Sequence, residues 1–130
     1  MITPDQLAKP ATEHGHQAAL FCWLSRYREV CPETKLIFAV PNGGERNMIV
    51  AAKLKAEGVK KGISDIMIPI SKHGYHGFFL EMKKIGGKES KEQQEFGAQI
   101  TKQGYLYACL EGWQAASDAI CWYLSLDKTL

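Results

Sequence analysis

"GISDIMIPISKHGYHGFFLEMKK", residues 62–84, decides how this chain folds. Each half is continuously apolar or nearly so, as in a strand covered on both faces. "KHGYHG" (72–77) between them has the glycines of a hairpin loop. Three charged residues interrupt the pattern: Asp65 in the first run, Glu81 and Lys83 in the second. A carboxylate or ammonium taken out of water is costly unless something compensates it, so the compensation of these three charges is the question the sequence poses.

Side chains alternate across a strand, so Glu81 and Lys83 share one face while Leu80, Met82 and Lys84 share the other. If the hairpin pairs its runs antiparallel, Asp65 lies close to Glu81 and Lys83, and three ionisable groups meet at one edge of the sheet. Two accounts fit. Lys83 neutralises one acid in a structural ion pair, which leaves the second acid unpaired. Alternatively a divalent metal takes two carboxylate oxygens and a backbone carbonyl, with waters completing the shell that Mg2+ prefers. A lysine beside such a site can hold or help deprotonate the water that attacks a phosphodiester, while the metal offsets charge on the phosphorus centre.

Outward from this stretch, Gln17 to Val30 has Leu20, Phe21, Leu24 and Tyr27 at helical spacing, ending before Pro32. "KLIFAVP" (35–41) reads as a short strand closed by Pro41, "NGGER" (42–46) as a turn, and "NMIVAAKLKAEG" (47–58) as a helix with Gly58 at C′. Ser90 and Gln93 form a capping-box pattern opening a helix to about Gln103, which Gly104 terminates. "YLYACL" gives a last strand, and Trp113 to Leu124 an amphipathic helix. The order is α-β-α-β-β-α-β-α: an α/β mixed sheet flanked by helices.

At 130 residues the chain is expected to fold as a single domain, and its 45% apolar and 23% charged residues are ordinary for a globular protein. A net charge of +2 does not by itself call for nucleic acid; it permits it where lysines cluster. The N-terminus lacks a signal-peptide core and no window is apolar enough for a membrane span, so a cytoplasmic protein without a membrane partner is expected. Cys22, Cys31, Cys109 and Cys121 have no CxxC spacing and read as buried reduced thiols.

The acid, hairpin and "E-M-K" arrangement resembles the PD-(D/E)XK nuclease superfamily. The surrounding residues are similar to its VRR-NUC branch, virus-type replication and repair nucleases often found as small phage-encoded proteins. The resemblance runs from "EHGHQAALFCWL" through "VPNGGERNMIVAAKLKAEGVKKGISDIMIP" and "GFFLEMKKIGGKESKEQ" to "GYLYACLEGWQAASDAI", in family order. It implies a restriction-endonuclease-like core of helix, three strands, helix and strand, which agrees with the order above when an inserted helix at Asn47 to Glu57 and a terminal one are allowed. It also implies Asp65 and Glu81 as ligands of Mg2+ or Mn2+, the Met82 carbonyl as a third ligand, and Lys83 as the catalytic lysine. Ser64 stands where the superfamily name expects proline. The resemblance further implies a deoxyribonuclease acting on branched DNA such as four-way junctions, working as a homodimer and, if phage-encoded, in the host cytoplasm.

The same alignment of motifs brings in Gln93, on the helix after the E-x-K strand, and Glu13, at the start of the first helix. Gln93 has a competing role as the N3 residue of its capping box, and the two roles are compatible. Glu13 either acts through a second metal or a water, or is a solvated first-turn glutamate. Asn42 and Arg46 are candidates for DNA-backbone contact beside a plain turn reading of "NGGER". Lys60 and Lys61, with Lys53 and Lys55, lead straight into Asp65; Lys84, Lys88 and Lys91 follow Lys83 in a glycine-containing loop. These lysines suit phosphate contact as well as a solvated face. His73 and His76 read as exposed turn residues without a third zinc ligand, His14 and His16 as solvated, and Trp23, Trp113 and Trp122 as core or subunit-interface packing.

Overall fold

The computed structural model describes residues 1–41 and 47–129. Helix α1 (Pro4–Ala8) opens on a capping box, Thr3 with Gln6, and has proline at its first position. Helix α2 (Glu13–Leu24) is capped by the Thr12 hydroxyl, which accepts from the Gly15 N–H at 2.9 Å. It gives way to a 3-10 turn at Ser25–Tyr27, and a second 3-10 segment covers Pro32–Leu36. Then follow β1 (Phe38–Ala39), α3 (Met48–Ala56), β2 (Ile66–Ile68), β3 (Phe78–Lys83), α4 (Lys91–Lys102), β4 (Leu106–Glu111) and α5 (Trp113–Leu124).

Three sequence expectations need correction. The first long helix begins at Glu13 rather than Gln17, because Thr12 supplies a side-chain cap that the apolar spacing does not register. Helix α1 has no counterpart in the expected order, although its capping box is visible in the sequence. The strand anticipated at Lys35–Pro41 shrinks to two residues, since Pro32 starts a 3-10 turn that consumes Lys35 and Leu36.

The sheet has the order β1-β2-β3-β4, with β1, β2 and β3 antiparallel and β4 parallel to β3 through the α4 crossover. At the hairpin tip, His73 (φ 54°) and Gly74 (φ 83°) are both left-handed and the Tyr75 N–H donates to the Lys72 carbonyl at 2.8 Å. That backbone twist matches the twist of the flanking strands.

Helices cover both faces. On one, Ile66, Ile68, Phe78, Leu80 and Met82 pack with Leu20, Trp23 and Leu24 of α2 and Ala116, Ile120 and Tyr123 of α5. On the other, Phe79 meets Phe96 of α4 and Tyr105 edge-on, with ring centroids 5.2 and 5.3 Å apart. Gly97 of α4 lies flat on the Tyr107 ring, where a Cβ would come within 2.5 Å of a ring carbon. Continuous apolarity in β2 and β3 follows from this double cover.

The four cysteines are free thiols, Cys121 buried and the others half-buried, so the expectation of full burial holds for one alone. Trp23 is buried and Trp113 half-buried, whereas Trp122 is 56% exposed and stacks on His73, ring centroids 4.3 Å apart. No helix of the described residues is long and apolar enough to cross a membrane.

Candidate active site

The ionisable cluster forms where β2 and β3 part company. The two strands stay paired from Ile68↔Phe78 to Ile66↔Leu80. One residue earlier, the Asp65 carbonyl accepts from the Val40 N–H at 2.7 Å, and its carboxylate Oδ2 accepts from the Met82 N–H at 2.9 Å. Asp65 thus stands in for the missing strand backbone. A strand residue sends its N–H and C=O to the same side, so the Met82 carbonyl faces the same gap as Asp65. Since β3 is an inner strand, the cluster sits at the end of the sheet rather than along its edge as expected from the sequence.

Glu81 is 1% exposed and Lys83 8%. Both side chains are on the α4 face. The Lys83 ammonium stands 3.9 Å from Glu81 Oε1 and 3.9 Å from Glu13 Oε2, so one cation lies between two acids. Gln93 closes its capping box and also reaches the cluster. Its Oε1 accepts from the Ser90 N–H at 2.7 Å, closing the capping box, and its Nε2 donates to Glu81 Oε1 at 2.8 Å. Glu81 Oε2 is buried and has no hydrogen-bond partner. Burial, and then the neighbouring Asp65 carboxyl, push the Glu81 pKa up to about 9 against the pull of Lys83. Asp65 and Glu81 can share a hydrogen bond only while one holds a proton, which is why Oε2 is an orphan when both are ionised.

A cleft of about 530 Å³ opens beside the cluster, lined by Glu13, His14, Gln17, Val40, Pro41 and Asp65 among others. Among the described residues, no three His, Cys, Asp or Glu side chains converge to enclose a metal. A cation here would take the two carboxylates and leave the rest of its shell to main chain and water, the ordinary arrangement for Mg2+. Lys60, Lys61, Lys84 and Lys88 are exposed. Asn42 and Arg46 lie outside the described residues.

Sequence reasoning missed the support behind Gln93. The Tyr107 hydroxyl donates to Glu89 Oε2 at 2.7 Å and lies 3.3 Å from the Gln93 carbonyl, while Cys109 stands beside Glu81 in the parallel register. Burial and Glu89 raise the Tyr107 pKa above its usual value, and push the Cys109 thiol up to about 11. The alternation in "YLYACL" holds a signal for this, because Tyr107 and Cys109 share a face; the parallel register that puts that face on Glu81 is not in the sequence. His16 overturns the solvated reading. It is 6% exposed, and its Nδ1 accepts from the Trp113 N–H at 3.1 Å, capping α5 where Gly112 has no side chain to do so.

A mixed four-stranded sheet flanked by helices, with β4 parallel to β3 through a helical crossover, is a restriction-endonuclease-like fold. The VRR-NUC domain profile matches residues 2–114, and the chain belongs to the VRR-NUC family of nucleases, for which DNA is the implied partner. A solved structure described as a VRR_NUC domain protein shares this fold at a TM-score of 0.67 and 24% identity, covering 97% of this chain and 91% of that one. A comparison with curated proteins returned no match.

Proposed function

We propose that this chain is a divalent-metal-dependent deoxyribonuclease whose single domain, residues 1–130, cleaves branched DNA. The supporting observation is Glu81 Oε2: a buried carboxylate oxygen without a partner, beside a second carboxylate, wants a cation. Asp65, Glu81 and the Met82 carbonyl would hold Mg2+ or Mn2+, which supplies Lewis-acid polarisation of the phosphate and acidifies a bound water.

The protein's own groups account for the rest. Gln93 fixes Glu81 through Oε1 and leaves Oε2 free to bind. Lys83 positions the attacking water or offsets charge developing on the phosphate oxygens. Glu13, exposed and beside Lys83, orients that ammonium towards the cleft. Water adds to phosphorus, the bond to the 3′ oxygen breaks, and that oxygen takes up a proton. The products are a 5′-phosphate and a 3′-hydroxyl. Exposed Lys60, Lys61, Lys84 and Lys88 neutralise phosphates along the bound strand, joined by Asn42 and Arg46.

Symmetric cutting of a four-way junction needs two sites and one chain supplies one, so a C2 homodimer is the working unit on that substrate. Free thiols suit a reducing cytoplasm. The test incubates labelled linear duplex, flap and four-way junction DNA with the protein, with Mg2+, with Mn2+ or with chelator, beside Glu81→Ala and Lys83→Ala. Metal-dependent cutting, strongest on branched DNA and lost in both variants, is expected. Binding without any cutting would leave a DNA-binding module in place of the nuclease.

A further inference from the structure

Helix α3 is built for contact with something the isolated chain lacks. None of its residues is buried: Met48 is 89% exposed, Ile49 71% and Val50 41%. Its apolar residues are spread around the whole helix, a pattern ordinarily found in buried helices. Isolated helices shorter than about 12 residues are marginal in water, and this one has 9. Apolar and basic residues are segregated along it. The first five residues, Met48 to Ala52, are apolar, while exposed Lys53 and Lys55 occupy the last turn and Lys60 and Lys61 the segment behind it, with Glu57 as the acid among them.

Both ends of this element are tied to the candidate site. Behind α3, Gly62 (φ 84°) lies so close to the first turn of α4 that a Cβ would meet the Glu92 carbonyl at 2.6 Å, next to Gln93 and its bond to Glu81. Ahead of it, Pro41 lines the cleft and Asn47 caps the helix six residues on, within about 22 Å by chain length alone. The start of α3 is thus within reach of a DNA arm leaving the cleft.

We infer that α3 is a wedge for branched or broken DNA: Met48 and Ile49 press on the base-pair faces exposed at a branch point or end, while Lys53, Lys55, Lys60 and Lys61 hold the flanking phosphates. Charge favours this occupant over a second copy, because four lysines at and behind the C-terminal end of α3 complement phosphates and repel a like-charged copy. A continuous duplex shows its base-pair faces nowhere, whereas a branch shows them at every arm, and apolar side chains inserted at base steps are an established way of holding distorted DNA. The inference rests on the nuclease reading only in taking DNA as the partner.

The test uses Glu81→Gln protein in chelator, so that nothing is cut, with a four-way junction carrying 2-aminopurine at the branch and a hairpin-closed duplex without ends. The helix as it stands should brighten the 2-aminopurine by unstacking it. Adding Met48→Ser and Ile49→Ser should abolish the brightening and lower junction affinity about tenfold, with closed-duplex affinity held within about twofold, and Met48→Leu with Ile49→Leu should restore both signals. Equal losses on the two DNAs, no loss on either, or a dimer that becomes monomeric in sedimentation with the serine pair would overturn the wedge; the last would make α3 an interface between copies. Failure of the nuclease reading shows separately, as absence of metal-dependent cutting by the wild type.

Discussion

Replacing Glu81 by glutamine should make the metal-free protein more stable at pH 8 and leave it unchanged at pH 4.5. Glu81 is 1% exposed, and its pKa rises from 4.5 to about 9 on folding. A folded-state pKa above the unfolded one means that the native protein holds this proton more tightly. Its contribution is fully present below pH 4.5 and is lost as pH rises towards 9. At about 1.4 kcal/mol per pKa unit, ionising conditions at pH 8 remove up to ~5 kcal/mol, and sharing of the proton with Asp65 brings a realistic expectation to ~2–4 kcal/mol. The substituted amide stays neutral in both states, accepts from Gln93 through its oxygen and offers an N–H to Asp65 as the protonated acid does, without the ionisation that favours the unfolded wild type at pH 8. Urea unfolding in chelator at both pH values reads the difference directly. A variant equal to or less stable than wild type at pH 8 would refute the buried, partnerless carboxylate.

Three further outcomes follow from the same geometry. Gly97→Ala places a methyl within 2.5 Å of the Tyr107 ring and should cost about 1–3 kcal/mol in the same unfolding assay, because α4 or the ring must shift; an unchanged midpoint would contradict that packing. Lys83→Ala should slow single-turnover cutting by about 10²–10³-fold with DNA affinity in Ca2+ preserved, the effect of losing one preorganised charge-stabilising group, and a loss below fivefold would deny it a role in the chemistry. Gln93→Ala should cost about 1 kcal/mol of stability through the lost capping box and also slow cutting, whereas Gln93→Ser, with neither reach, should rescue neither; a stability loss with full activity would make Gln93 a cap alone.

Residues 62–84 are legible in sequence because two local rules govern them. Antiparallel pairing across a short hairpin fixes which residues meet, and alternation fixes which face they take, so Asp65, Glu81 and Lys83 could be brought together without knowing the rest of the fold. The cap made by Gln93 was legible for a similar reason, its spacing from Ser90 marking the helix start, whereas its place beside Glu81 came only from the family resemblance. What stayed hidden depends on non-local placement. The Tyr107, Glu89 and Cys109 support behind the site needs the register of a parallel pair joined by a helix. The burial of His16 needs the meeting of α2 with the start of α5, far apart in the chain. That β3 is an inner strand follows only once β4 is seated beside it, which moves the cluster from the edge of the sheet to its end.

The central claim is that Asp65 and Glu81 together hold one divalent cation. Calorimetric titration of Mn2+ at pH 7.5, repeated in buffers of different ionisation enthalpy, tests it most directly, since a metal that takes Glu81 must displace the proton burial keeps there. The expected result is a single site per chain, close to one proton released for each ion bound, and loss of binding in both Asp65→Asn and Glu81→Gln. Binding that survives either substitution, or that releases no proton, would contradict it.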